Sequence, residues 1–313
     1  MADKRLWALI GLALLAMAAF LGWGLRGNLA FVLELRAWRL LALVQVAVAV
    51  AVSTVLLQTV TGNRILSPAI LGIDALYTLG LTLLVFLLGG IGFAGLDAHV
   101  KFAAALTVMT GAALLIFLPL LRDRQSLYWL LLTGAMLGIL FRSLSALLAR
   151  LIDPNDFMVL QGATYANFGQ VRGDLTAIGA GITGAIILLV WRQRHVLDVM
   201  ALGRATAVGL GVNWSRSLIL LLTAIVLLVA VSTALVGPIT FLGLLVVALA
   251  ERCIGTQRHA RLLPAAGAVA IATLVGGQAV LQHGFGNAAT LGVIVEFLGG
   301  LVFLALLLTG AKR

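Results

Sequence analysis

Run after run of apolar residues, each close to the length a helix needs to cross a bilayer, is the feature that most constrains this chain. A helix rises about 1.5 Å per residue and a hydrocarbon core is about 30 Å thick, so about 20 apolar residues span it. Ten segments of the 313-residue sequence approach that length: 6–25, 38–61, 68–90, 100–121, 127–150, 174–191, 217–236, 238–253, 262–282 and 289–309. The eighth is the shortest, because Glu251 and Arg252 end its apolar stretch. The runs are apolar on all sides rather than alternating, which argues against the strands of a β-barrel. With 62% hydrophobic and 10% charged residues, the chain reads as an all-α integral membrane protein. It has no long linker and no low-complexity segment, so residues 1–313 are expected to form a single transmembrane domain.

Ten spans put both termini on one side, and charge indicates which. One set of loops carries Lys4, Arg5, Arg64, Arg122, Arg124, Arg192, Arg194, Arg204, Arg216, Arg252, Arg258, Arg261, Lys312 and Arg313, the other only Arg26, Arg36, Arg39, Lys101, Arg150 and Arg172. The positive-inside rule assigns the first set, and with it both termini, to the cytoplasm. A cleavable signal peptide is the alternative reading of the first span, since Lys4 and Arg5 precede the triplet Ala16-Met17-Ala18. The apolar run nevertheless continues to Leu25, too long for a signal core. The net charge of +10 is scattered over loops rather than gathered on a face, so nucleic acid is not an expected partner.

Missing motifs narrow the chemistry. Lys4, Lys101 and Lys312 follow Asp3, Val100 and Ala311, so no lysine follows a glycine as a P-loop requires, and this chain cannot itself be a P-loop ATPase. His99, His195, His259 and His283 fall in four different loops with no metal-ligand spacing, and are read as solvated. The lone Cys253 offers neither a disulfide nor a metal site. No Ser, His and carboxylate constellation is visible, so neither hydrolytic activity nor a cofactor is expected.

Transport is left. Ionisable groups inside a bilayer are costly unless paired or wet, which makes Asp74, Arg142 and Glu296 functional candidates. Counted along their spans at about 1.5 Å per residue, Arg142 and Glu296 lie at matching depth, about 10–12 Å inside the outer end, whereas Asp74 matches neither. An Arg142–Glu296 ion pair pinning the fifth span to the tenth is one expectation; two separate snorkelling or water-facing groups is the other. Gly179, Gly181, Gly184, Gly299 and Gly300 are read as close-packing positions. The outer loop 152–173 is long enough to hold a short helix, and the fifth span with that loop, carrying Gly134 and Gly138, is the candidate gate.

The segment 197–214, LDVMALGRATAVGLGVNW, stands apart as a Gly-punctuated polar island of two short helical turns between spans. Three stretches carry a family resemblance. NRILSPAILGIDALY at 63–77 is similar to the N-P-L-A-x-P-x-x-L-G junction of the FecCD family of ABC importer permeases. ALGRATAVGLGV at 201–212 resembles that family's A-L-G-x-x-A-x-x-L-G coupling loop, and GPITFLGLL at 237–245 resembles its G-x-I-x-F-x-G-L-x segment. The motifs occur in the family's order and spacing, so the resemblance covers nearly the whole chain.

The resemblance implies a type II importer permease fold in the bacterial cytoplasmic membrane. It implies an ABC ATPase dimer, a second permease chain and a substrate-binding protein as partners, and iron-siderophore, haem or cobalamin complexes as cargo. Asp198, Ala201, Leu202, Gly203, Ala205, Gly209 and Gly211 would form the surface that meets the ATPase. Arg36-Ala37-Trp38-Arg39 resembles the family's R-x-P-R, so Arg36 and Arg39 would dock the binding protein, a task that suits guanidinium groups because they pair bidentately with carboxylates. There are departures: Val247 and Ala248 replace Pro-His, Trp38 replaces the R-x-P-R proline, and Glu296 stands where the pattern has a small or apolar residue. They point to the branch that forms heterodimers and moves ferric siderophores. A cobalamin or haem permease is the alternative, and an ion-coupled secondary transporter using Asp74 and Glu296 the competing class.

Overall fold

The computed structural model describes residues 2–24, 28–122, 127–169, 171–284 and 291–310; Arg26, Arg124, Lys312 and Arg313, four of the basic residues used to orient the chain, lie outside them. The helices are α1 (Ala2–Gly22), α2 (Leu29–Thr61), α3 (Ile73–Gly95), α4 (Ala98–Arg122), α5 (Leu127–Ala149), α6 (Pro154–Thr164), α7 (Gly173–Arg192), α8 (Arg194–Met200), α9 (Arg204–Gly209), α10 (Trp214–Val236), α11 (Leu242–Ile254), α12 (His259–Gly284) and α13 (Leu291–Gly310), with a 3-10 turn at Pro68–Leu71 before α3. Each expected span has its helix. The short eighth is the 13-residue α11, the short outer-loop helix is α6, and the polar island folds into α8 and α9.

The bundle is built around α2. Its sequence is Val- and Ala-rich and apolar on every side, and 78% of its apolar core is buried, against 17% in α1 and in α4. In hydrocarbon there is little hydrophobic gain in hiding one apolar face rather than another, so small side chains that let backbones approach decide which helix goes inside. α2 accordingly packs on α7, α10, α11 and α12, while peripheral helices turn Leu15, Leu115 and Leu147 outward. α2 also begins at Leu29, nine residues before the expected start, because Glu34, Arg36 and Arg39 look like loop residues in sequence yet lie in its first turns.

Polar contacts sort the loops into two ends. At the first end Arg261 pairs with Asp3 at 3.0 Å and Arg64 with Glu251 at 3.2 Å, and Arg5 reaches the Cys253 carbonyl at 3.2 Å. At the far end Arg172 pairs with Asp174 at 2.8 Å, and His99 lies between Asp97 and Asp174. These groupings match the two sets of loops sorted by charge.

The stretch between α2 and α3 folds back into the bundle. Gln58 donates to the carbonyls of Arg64 and Leu66 at 2.8 and 3.3 Å, supplying partners that a non-helical backbone within the bundle requires. Gly72 is then seated against Gly134 and Gly138, two and three turns into α5. The contact leaves no room for a side chain, since a Cβ on Gly134 would come within 2.9 Å of the Leu71 backbone. Of the other glycines expected to pack, Gly179 abuts Gln45 and Gly299 abuts Phe241, but a Cβ added to Gly181, Gly184 or Gly300 would enter open space in this protomer, a correction to the expectation for those three.

Gly134→Val is therefore expected to destabilise the protein by about 1–3 kcal/mol through overpacking against backbone. Gly181→Ala, placed in open space, should leave the detergent-solubilised melting temperature unchanged.

Candidate functional site

α7 passes into α8 across Gln193 alone, and α8 is separated from α9 by Ala201, Leu202 and Gly203. Gly203 has φ +92° and Gly211 φ +85°, backbone conformations that side chains with a Cβ rarely adopt, so these two glycines create the corners on either side of α9. Gly209 lies within helical α9 and makes no such turn. Asn213 then caps α10, its side chain accepting from the Arg216 N–H at 3.2 Å.

The segment has two faces. Leu197, Met200 and Ala207 are fully buried and root it in the bundle. Leu202, Val208 and Leu210 are 54–62% exposed, and Ala201, Gly203, Ala205, Gly209 and Gly211 lie open around them. The result is an apolar knob on a segment that also exposes Arg204 and Arg216, at the end of the bundle where Arg261 pairs with Asp3. Exposed leucines on a bundle end rather than on a lipid-facing helix side need a covering partner.

Asp198, expected on that surface, turns inward instead. Its Oδ1 accepts from the backbone N–H of His259 at 2.8 Å and meets the His259 Nδ1 at 2.7 Å. His259 is 1% exposed, and its Nε2 lies 2.7 Å from Thr59 Oγ1 in the last turn of α2. This histidine is thus a buried connector, not a solvated loop residue. The sequence signal was the position of His259 at a helix start, where free N–H groups attract a carboxylate, and only the fold reveals that the carboxylate comes from α8.

The three intramembrane charges converge. Because the helix begins at Ile73 rather than at residue 68, Asp74 lies in the first turn of α3. The Arg142 guanidinium folds back along α5 to Gly138, which touches Gly72, two residues before Asp74. Asp74 lies within electrostatic reach of both Arg142 and Glu296. Among the described residues, however, no ion pair joins Arg142 to Glu296. Thr240 donates to Glu296 at 3.2 Å and Thr233 to Asp74 at 3.1 Å. Ser53, Thr54, Ser232, Thr233, Thr240 and Asp74 together line a small polar cleft between α2, α3 and α10. Arg142 itself is exposed on the protomer surface, in the middle of a span.

At the far end the arginine pair divides. Arg36 is 7% exposed and donates to the carbonyls of Phe20, Leu21, Trp23 and Gly24, at 2.7–3.4 Å. It caps the C-terminus of α1, where carbonyls lack helical partners and the helix dipole favours a cation, so it is not presented to a docking protein. Arg39 is half-buried and donates to the Gly169 carbonyl at 2.9 Å.

Residues 7–309 match the model of the FecCD transport family. The chain is 39% identical to the petrobactin import system permease protein YclO of Bacillus subtilis (strain 168), over 99% of this chain and 98% of that protein. It is 28% identical to the petrobactin import system permease protein FatC of Bacillus anthracis, over 88% of this chain and 78% of that protein. It is 30% identical to the vitamin B12 import system permease protein BtuC of Vibrio cholerae, over 88% and 81% respectively. A solved structure of a metal-chelate type ABC transporter in an inward-facing conformation superimposes with a TM-score of 0.86 at 22% identity, covering 98% of this chain and 99% of that one. The fold is therefore shared with that transporter.

Removing Arg36 leaves α1 carbonyls unpaired, so Arg36→Ala should cost about 2 kcal/mol of stability, whereas Arg39→Ala, losing one exposed contact, should cost well under 1 kcal/mol. Thermal unfolding of the two purified variants checks the contrast.

Proposed function

The chain belongs to the FecCD transport family, and from that premise we propose that it is the membrane permease of an ATP-driven importer that carries ferric siderophore complexes into the cytoplasm. The α8–α9 knob faces the cytoplasm and receives an ATPase subunit, an orientation supported by the excess of basic residues at that end. The observation that carries this reading is the knob itself: Leu202, Val208 and Leu210 exposed above a buried root of Leu197, Met200 and Ala207. A soluble motor can act on membrane helices only through a surface held rigidly to them, and this segment is so held. Both ends of it continue into spans, α7 and α10.

Siderophore cargo is supported by the petrobactin import permeases among the relatives, of which the first covers nearly the whole chain. Ferric petrobactin is the first complex to test. The far end, where Arg39 is more accessible than Arg36, takes the loaded binding protein, with Arg36 serving the fold beneath it.

A second permease chain covers the face of α5 that carries Arg142. An arginine facing lipid in mid-span is expensive, and Ile139, Leu140, Leu144 and Leu147 extend the same helix's exposed apolar surface. A permease partner with a wet pathway between the chains satisfies both features, with Asp74, Arg142 and Glu296 at the pathway wall and the α5–α6 region as its gate. The departures from the family pattern favour a different chain as that partner.

In this arrangement Leu202→Glu together with Leu210→Glu should leave the fold intact, because both side chains are exposed, yet weaken ATPase co-purification. Loss of interface leucines of this kind costs about 2 kcal/mol, about thirtyfold in affinity. Undiminished co-purification would contradict the assignment. Uptake of ferric petrobactin should also persist under a protonophore while ATP is maintained, and collapse of uptake would favour ion coupling instead.

A further inference from the structure

The Asp198–His259–Thr59 chain, half-buried at its two ends and fully buried at His259, joins the α8–α9 segment to α12 and α2. Asp198 lies on α8, His259 begins α12, and Thr59 sits in the last turn of α2. The chain is a side-chain hydrogen-bonded route from α8 to spans other than its own neighbours, whereas Arg194 donates to the Trp191 carbonyl at the end of α7. The remaining roots, Leu197, Met200 and Ala207, are apolar.

The distinction matters mechanically. Apolar contacts have no preferred direction and allow a short helix to roll on its bed. A carboxylate that binds both a helix-terminal N–H and an imidazole is directional and charge-assisted. Asp198 Oδ1 takes both bonds from one residue, so α8 cannot rotate without pulling the first turn of α12. Hydrogen-bond arithmetic extends the tie to α2. Thr59 Oγ1 has one proton and two acceptors within reach, the Val55 carbonyl at 2.8 Å and His259 Nε2 at 2.7 Å. When Nε2 is unprotonated, the hydroxyl donates to it. When Nε2 carries a proton, the ring donates and the hydroxyl turns to Val55. The link between α12 and α2 holds in either state.

We infer that His259 and Thr59 are positioning residues of energy coupling, forming with Asp198 the joint that converts displacement of the α8–α9 knob into movement of α12 and α2. The inference rests on the reading of the knob as the ATPase contact. It adds that binding the ATPase and transmitting its stroke are separable, the first belonging to exposed leucines and the second to this hydrogen-bonded chain.

The test uses the complete transporter, with its ATPase and binding protein, in proteoliposomes. His259→Asn places an amide nitrogen near Nδ1 and keeps the Asp198 contact while removing the bond to Thr59. Thr59→Val removes the same bond from the other side, and Thr59→Ser retains the hydroxyl. The expected result is that His259→Asn and Thr59→Val keep the ATPase in the complex and keep ATP hydrolysis, but lower ferric petrobactin transported per ATP by about tenfold, the factor that corresponds to one hydrogen bond to a buried partner. The double variant should be no worse than either single one, because both break one link, and Thr59→Ser should behave as wild type. Unchanged transport per ATP in Thr59→Val, additive losses in the double variant, or a Thr59→Ser defect equal to that of Thr59→Val would each overturn the inference. If His259→Asn does not assemble, the Thr59→Val and Thr59→Ser comparison still decides. Failure of the underlying reading has a different signature: a wild-type complex that contains no ATPase.

Discussion

In hydrocarbon every backbone N–H and C=O must find a partner inside the protein, and most of this structure follows from that requirement. It turns the apolar runs into helices, and it governs the places where the chain is not helical. The returning stretch between α2 and α3 is held by Gln58, whose amide serves two of its carbonyls. The break between α10 and α11 is closed by the Gly237 N–H on the Thr233 carbonyl, while Asn167 binds the Val236 carbonyl from the α6–α7 connection. Irregular backbone is admitted only where side chains or neighbouring turns satisfy it, and those are the places where polar side chains gather. Asp74, Thr233 and Thr240 all lie beside such breaks, so the intramembrane polar cleft is a product of the same constraint.

α2 connects the levels of the molecule. Its first turns carry Arg36, which closes the C-terminus of α1. Its middle carries Gln45, packed against Gly179 of α7. Its lower half lines the polar cleft through Ser53 and Thr54, and its last turn carries Thr59 on His259. A single buried helix thereby touches the far end, the intramembrane charges and the joint beneath the knob. In the proposed importer, that makes α2 the natural path between the ATPase surface and the pathway.

Length and hydropathy made the spans readable, because apolar runs of bilayer length have few other uses. The polar island at 197–214 was readable for the converse reason: glycines and polar residues interrupt an otherwise continuous apolar pattern, and α8 and α9 formed where they were expected. What escaped was what depends on the third dimension. Arg36 and Arg39 are three residues apart and look equivalent in sequence, yet one faces the end of α1 and the other faces outward. The setting of Asp74 in a first helical turn escaped as well, because periodicity cannot distinguish a helix that starts at residue 68 from a chain that makes a 3-10 turn and starts its helix at Ile73. His259 looked like a loop residue because its partners, Asp198 and Thr59, are 61 and 200 positions away. The FecCD motifs identified the family, but they name positions rather than directions, so Asp198 was placed on the surface with its neighbours.

The central claim is that the α8–α9 knob is the surface on which an ATPase acts, and proximity tests it most directly. Cys253 is exposed at the same end, so it is first replaced by alanine, and a cysteine is introduced at Val208, which is 54% exposed on the knob. A photoactivatable cross-linker on that cysteine, in membranes from the native host, is predicted to capture the ATPase subunit with a yield that changes when ATP is added. Recovery of an intact complex containing the ATPase, with no cross-link from Val208 or from neighbouring knob positions in either nucleotide state, would contradict the account.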